Sequence, residues 1–323
     1  MIRVLQMESG TTPRWSVMIP TYNADRYLRD ALESVLAQDP GPDVMQIEVV
    51  DDGSEVDPRP IVKEIAGDRV SVHRHDRNMG HVAAFNTCID RAQGEYVHLL
   101  HADDEVRPGF YERLGAALDA NPAAGAAFCR YIAIDDHGNW TNISDLEQPV
   151  PGILDDWLAK IATGQRLQPP CIVVRKSVYD AVGLFDARIR SYGEDWEMWT
   201  RIAASFPVWY EPEPLALYRV SRRSLSSHAL HSGDNVRQLM QVIELNRARL
   251  PADDAEKLTA AARRSTATAA IRRSVRLAAL GDLSGALAQL RWSLRADRSP
   301  STLSAALLGT VRIVRARVSA GRR

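Results

Sequence analysis

The sequence predicts an α/β fold in which a mainly parallel sheet carries helices on both faces, followed by an all-helical C-terminal region. Short apolar runs alternate with helix-period segments over the first 120 residues. Acidic clusters stand directly after the second and fourth of those runs. Beyond about Arg219 the strand-like runs stop and only helical periodicity remains.

Residues 15–20 (WSVMIP) are rich in strand formers and read as a buried strand. Residues 25–37 place Tyr27, Leu28, Ala31, Leu32, Val35 and Leu36 at helical spacing. The second strand, 46–50, ends in Asp51-Asp52-Gly53-Ser54. A short helix at 60–66, a third strand at 70–73 and a helix at 81–92 follow. The fourth strand, 95–100, ends in His101-Ala102-Asp103-Asp104, and Pro108 opens a helix that runs to 120. Such βαβ units pair in parallel, and ligands bind at the carboxyl ends of the strands. Both acidic clusters lie at that end. One polar residue there is explained by a turn or a cap; two acidic pairs on one edge are harder to explain that way.

Residues 126–134 and 171–174 read as further strands, with 135–150 as a loop between them. Residues 194–204 (EDWEMWTRIAA) are helical, and 208–210 and 215–218 are two late strands. A polar, basic linker at 221–232 leads to helices at 235–249, 252–280, 283–295 and 301–318. Gly281 supplies a stop signal and Asp282 an N-cap. The division falls at 1–229 and 230–323.

The 323 residues are 45% apolar and 25% charged, which excludes disorder, collagen and a disulfide scaffold. Cys88, Cys129 and Cys171 form no C-x-x-C pair, so neither zinc nor a disulfide is expected, and buried thiols suit a reducing compartment. Residues 1–15 lack the apolar core of a signal peptide, and 303–314, interrupted by Arg312, are too short to span a membrane. The net charge of −1 suggests no nucleic-acid partner. It conceals an asymmetry: residues 230–323 hold 17 basic and 7 acidic side chains, whereas 1–229 hold 23 and 34. The basic helices therefore suit docking on the acidic part, on a second copy in a homo-oligomer, or on anionic lipid.

Four motifs in order carry a resemblance: Ser16-Val-Met-Ile-Pro-Thr-Tyr-Asn23; Val50-Asp51-Asp52-Gly53-Ser54; Asn78-Met-Gly80 through Ala84, Asn86 and Ala92-Gln-Gly94-Glu95-Tyr96 to His101-Ala-Asp103-Asp104; and Gly193-Glu194-Asp195-Trp196. Over residues 15 to 220 the chain resembles the family 2 glycosyltransferases of GT-A, Rossmann-like fold. The resemblance implies a bacterial-type, inverting, non-processive enzyme of cell-envelope polysaccharide synthesis. Such an enzyme moves a sugar from a nucleotide-sugar donor, UDP- or dTDP-linked, to a hydroxyl of a glycan or lipid-linked acceptor. It would be cytoplasmic, either soluble or, through the basic C-terminal helices, peripheral at the inner face of the membrane.

The resemblance implies donor contacts from Pro20, Thr21, Tyr22, Asn23, Asp52, Asn78, Gly80 and Asp103. Tyr22 would meet the base and Asp52 a ring N–H; Tyr22 as a packing residue and Asp51 as a cap are the plainer alternatives. Hard carboxylate oxygens suit Mn²⁺ or Mg²⁺ beside a diphosphate. Asp103 or Asp104 would hold it, the other contacting ribose or a water. His101, in place of an aspartate, is either a nitrogen ligand favouring Mn²⁺ or a packing residue. Asp195 would be the general base and Glu194 its positioning partner, the alternative for both being a helix cap. His101 also motivates a second reading, a catalytically degenerate protein that binds nucleotide sugar or glycan.

No Q-x-x-R-W motif of processive relatives follows the Glu-Asp pair. After Tyr218-Arg219, where relatives place a histidine, this chain has Ser221, with His228 and His231 further on. Arg219, Arg222 and Arg223 are either diphosphate contacts or solvated charges. Acceptor recognition is expected from Trp140, Trp157, the 135–170 loops and residues 188–192.

Overall fold

A computed structural model describes residues 12–23, 25–221 and 225–320. The first half alternates as expected: β1 (Trp15–Thr21), α1 (Asp25–Leu36), β2 (Met45–Asp51), α2 (Arg59–Ala66), β3 (Ser71–Arg74), α3 (His81–Arg91) and β4 (Tyr96–Leu99). Then come β5 (Glu105–Val106), α4 (Phe110–Ala120), β6 (Ala126–Ile134), β7 (Trp140–Ile143), β8 (Gly152–Ile153) and α5 (Trp157–Ala162). β9 (Ile172–Arg175), α6 (Lys176–Val182), α7 (Glu194–Ala203) and β10 (Val208–Arg219) complete the α/β part. Five helices follow: α8 (Leu225–Ser232), α9 (Asp234–Arg247), α10 (Ala252–Ala279), α11 (Leu283–Ala296) and α12 (Pro300–Ala320).

The sheet runs β3-β2-β1-β4-β9-β6-β10-β5, with β7 beside β6 and β8 beside β10. β1 pairs in parallel with β2 and β4, and β2 with β3. β9 lies antiparallel to both β4 and β6, and β6 is parallel to β10. β6 and β10 therefore share the direction of β1–β4, so six of the ten strands among the described residues run one way. All seven residues of β1 are buried, as a strand covered on both faces requires.

Several expectations are corrected. The two late strands are one, β10, whose register shifts between Glu211 and Ala216. Pro212 and Pro214 sit in that irregular stretch, where the ladder is already interrupted. The 135–150 loop contains β7, and the 221–232 linker contains α8. β5, β8, α5 and α6 are further elements not foreseen.

The C-terminal helices pack on the α/β part. Leu239, Val242 and Ile243 of α9 and Ala262 of α10 belong to the same apolar core as β1 and α7. Away from that contact the helices share a thin core of Val236, Ala267, Ala270 and Ala296. Cys88, Cys129 and Cys171 are buried and free.

One close approach locks β4 onto β1. Gly94 donates its N–H to Ser16 Oγ at 2.7 Å, and a Cβ on Gly94 would lie 2.4 Å from the Trp15 carbonyl carbon. Gly94→Ala should therefore lower stability by about 1–3 kcal/mol, as overpacking does. Urea denaturation checks this; an unchanged midpoint would contradict it.

Candidate active site

The site forms at the carboxyl ends of β1, β2 and β4. Past β2, Ser54 donates its N–H and hydroxyl to the buried Asp51 carboxylate, and Arg74 stands 3.4 Å from it. Ser54 Oγ accepts from the Asn23 N–H at 2.8 Å, and Asn23 Oδ1 accepts from Glu55 N–H at 2.9 Å. Asn23 has φ 52°, a left-handed conformation that asparagine tolerates. These bonds fasten the turn after β1 to the turn after β2. Pro20 and Thr21 are buried beneath them, while Tyr22 is 46% exposed at the rim.

Asp52 organises the next loop. Its Oδ1 accepts from Met79 N–H at 2.9 Å and its Oδ2 from Gly80 N–H at 2.8 Å, while His75 Nδ1 stands 2.8 Å from Oδ1. The Asn78 side-chain oxygen also accepts from Gly80 N–H. By the acceptor count of a carboxylate, little of Asp52 is left for a ligand. Gly53 permits the crossing: at φ +72°, a Cβ there would lie 2.6 Å from the Arg77 carbonyl carbon.

The anchored loop starts α3, whose side chains reach two further parts of the site. His81 Nε2 lies 3.3 Å from Glu194 Oε1, at the start of α7. One turn on, Phe85 stacks on His101 with ring centroids 5.0 Å apart. Burial works against the His81 cation, but Glu194 more than offsets it and raises the pKa. Burial likewise opposes the Glu194 charge, and His81 outweighs it, leaving Glu194 below its ordinary value.

His101, Asp103 and Asp104 each offer a ligand atom, and these atoms lie within 4.8 Å of one another. Asp104 Oδ1 accepts from the Arg219 backbone N–H at 2.8 Å. Asp104 Oδ2 and His101 Nε2 are buried without a partner. Burial, then the charge of Asp103, pushes the Asp104 carboxyl well above the usual range. Burial lowers the His101 pKa, which keeps a nitrogen lone pair free. Two orphaned donors and an adjacent carboxylate are a set that a divalent cation satisfies.

Asp195 is 8% exposed and follows Gly193, which takes a left-handed φ of 94° before α7. Trp196 N–H donates to Asp195 Oδ1 at 2.7 Å, and Gln165 donates to Oδ2. Burial, then the Glu194 charge, raises the Asp195 carboxyl to about 7. Burial, then the charges of Asp104 and Asp195, push the Tyr218 hydroxyl up, so it stays neutral.

Sequence reasoning missed His81, Phe85 and Gln165. His81 directly follows the Asn-Met-Gly motif, a signal that was available; Gln165 sits in a stretch without periodicity. Two expected contacts are corrected. Arg219 is 4% exposed, and its guanidinium binds the Asp103 and Asp135 carbonyls and Glu105, over the Tyr27 ring. Its guanidinium is engaged by these protein partners, neither solvated nor turned out toward a ligand. Trp157 is core, with its ring 4.7 Å from Phe128. Trp140 is exposed beneath Arg107, and Arg188 pairs with Asp186. His231 pairs with Asp282, away from the acidic cluster. Arg222, Arg223 and the His228 side chain lie outside the described residues.

Because the folded state raises the Asp195 pKa above its unfolded value, native Asp195 keeps its proton between about pH 4 and 7 while the unfolded chain loses it. Stability falls across that window and the deficit persists above it. Asp195→Asn should thus be more stable than wild type at pH 8, by an amount on the order of a few kcal/mol. The gain should shrink as pH falls toward 5. Thermal melts of both proteins test this; a pH-independent difference would contradict it.

The profile of the family described as "Glycosyl transferase family 2" matches residues 16–183. An uncharacterized glycosyltransferase of Rickettsia typhi is 27% identical over 226 residues, covering 68% of each chain. The S. aureus TarS 1–349 crystal structure is 17% identical, with TM-score 0.63 over 94% of this chain and 87% of that one. The same TarS fragment in complex with UDP-GlcNAc is 14% identical, with TM-score 0.64 over 87% and 91% of the two chains. The matched region runs from β1 into the turn after α6, more than half of the sequence, and on that ground the chain belongs to glycosyl transferase family 2 and is a glycosyltransferase.

Proposed function

We propose that the chain transfers a sugar from a nucleoside-diphosphate donor to a hydroxyl of a glycan or lipid-linked acceptor, one residue at a time and with inversion. The observation that carries this reading is the bridge made by α3. His81 and Phe85, one helical turn apart, link the Glu194–Asp195 pair to the His101–Asp103–Asp104 cluster. A base and an electrostatic clamp must converge on one anomeric carbon for a single displacement.

His101, Asp103 and Asp104 would hold Mn²⁺ or Mg²⁺, whose charge offsets that of the departing diphosphate. Tyr22, half-exposed beside the 51–54 turn, would flank the base of a uracil or thymine nucleotide. The UDP-GlcNAc complex of the similarly folded TarS fragment supports a uridine donor. With most of its acceptor capacity engaged, Asp52 serves by fixing the 78–80 loop, which brings Asn78 and Gly80 toward the donor.

Asp195 takes the acceptor proton as the hydroxyl oxygen attacks the anomeric carbon and the sugar–phosphate bond breaks. Gln165 and the Trp196 N–H fix its two oxygens, and Glu194, held by His81, keeps its pKa high by like charge. A base near neutrality combines availability with proton affinity.

Calorimetry should show UDP and UDP-sugar binding that strengthens with Mn²⁺. Asp195→Asn should keep donor affinity while transfer falls by about 10²–10⁴-fold; unchanged turnover would remove Asp195 as base. In wild type, kcat/KM should rise with pH through an inflection near 7, the pair titrating together. A flat profile from pH 5.5 to 8.5 would contradict this assignment.

A further inference from the structure

We propose that the outer face of α12 docks on an anionic lipid surface. The helix packs inward through Thr302, Ala306 and Gly309, where Gly309 lets it approach Ile271 and Val275 of α10. Its exposed side carries an aliphatic stripe, flanked by Ser304, Thr310 and Arg312: Leu303 is 49% exposed, Leu307 68%, Leu308 62% and Val311 41%. Positions 303, 307 and 311 follow one another at one-turn spacing, with Leu308 beside them, so the stripe is continuous. A surface helix of a free-standing protein normally reverses this pattern.

Charge identifies the occupant. From α11 to the end of α12 the sequence holds six arginines and a single acidic residue, Asp297. Asp297 is engaged by the hydroxyls of Ser299 and Thr302. Among the described residues, no carboxylate lies within ion-pair distance of Arg291, Arg295, Arg298 or Arg312, nor of Arg264, Arg272, Arg273 or Arg276 on α10, whereas Arg237, Arg247, Arg249 and Arg263 each have one. An aliphatic stripe with unneutralised arginines nearby fits acyl chains below and phosphate headgroups at the margins. Two copies meeting face to face through this region would instead bring arginines against arginines. No helix among the described residues is long and apolar enough to cross a membrane, so the contact is peripheral.

Flotation of the full chain with vesicles of phosphatidylcholine plus phosphatidylglycerol, and of phosphatidylcholine alone, tests the proposal. Wild type should float at least about ten-fold better with the anionic vesicles, and high salt should weaken this. Leu303→Ser/Leu307→Ser/Leu308→Ser should lose at least about ten-fold of the binding, and Arg291→Gln/Arg295→Gln/Arg312→Gln should lose the preference for anionic lipid. Circular dichroism and UDP affinity should match wild type in both variants, which separates this surface from the donor site. Equal flotation of the leucine variant would overturn the proposal. So would a wild-type dimer that becomes monomeric in the leucine variant while neither floats, because a second copy would then cover the stripe.

Discussion

Asp104 ties together two strands that the chain separates by 115 residues. Its Oδ1 accepts the backbone N–H of Arg219 at the end of β10, and the Arg219 side chain returns to the Asp103 carbonyl and the Glu105 carboxylate. The segment after β4 is thereby clamped from both sides, with one Asp104 oxygen held and the other buried without a partner. A buried carboxylate with half its capacity unmet is costly in an isolated protein. A cation bound there, as proposed, would offset that cost.

The same trade recurs around the pocket. Asp195 is buried beside Glu194, which makes its ionisation expensive and places its titration near neutrality. Asp51 and Asp52, equally buried, are supplied with N–H, hydroxyl and cationic partners and act as fixed struts. Four aspartates thus divide, by the partners around them, into fixed struts and carboxylates whose ionisation is opposed. The α3 helix connects the groups: its start is set by Asp52, and its first turns touch Glu194 and His101.

Much of this was legible in the sequence. β1 reads as a mostly apolar run because both sheet faces are covered; β2, though interrupted by Gln46 and Glu48, keeps Ile47, Val49 and Val50, and the acidic clusters stood out at the ends of such strands. The Glu-Asp pair was visible because it opens an amphipathic helix. What escaped has physical reasons. All four residues of β7 are exposed, so no alternation marks it; β5 and β8 are two residues each, too short for any period. An arginine after a strand reads as solvated, and only the tertiary fold reveals Arg219 among carbonyls. Trp157 carries no mark that distinguishes a core ring from a sugar platform. Gln165 reaches Asp195 from a loop across the pocket, a juxtaposition that exists only after folding.

The proposed cation site at the end of β4 would work together with the donor. Titration with Mn²⁺, read by loss of the free-ion electron paramagnetic resonance signal with and without UDP, addresses it most directly. Wild type should take up one ion far more tightly with UDP present, Asp195→Asn should behave likewise, and Asp103→Asn/Asp104→Asn should lose the UDP-dependent uptake. Uptake in wild type that ignores UDP, or that survives loss of both aspartates, would contradict the account.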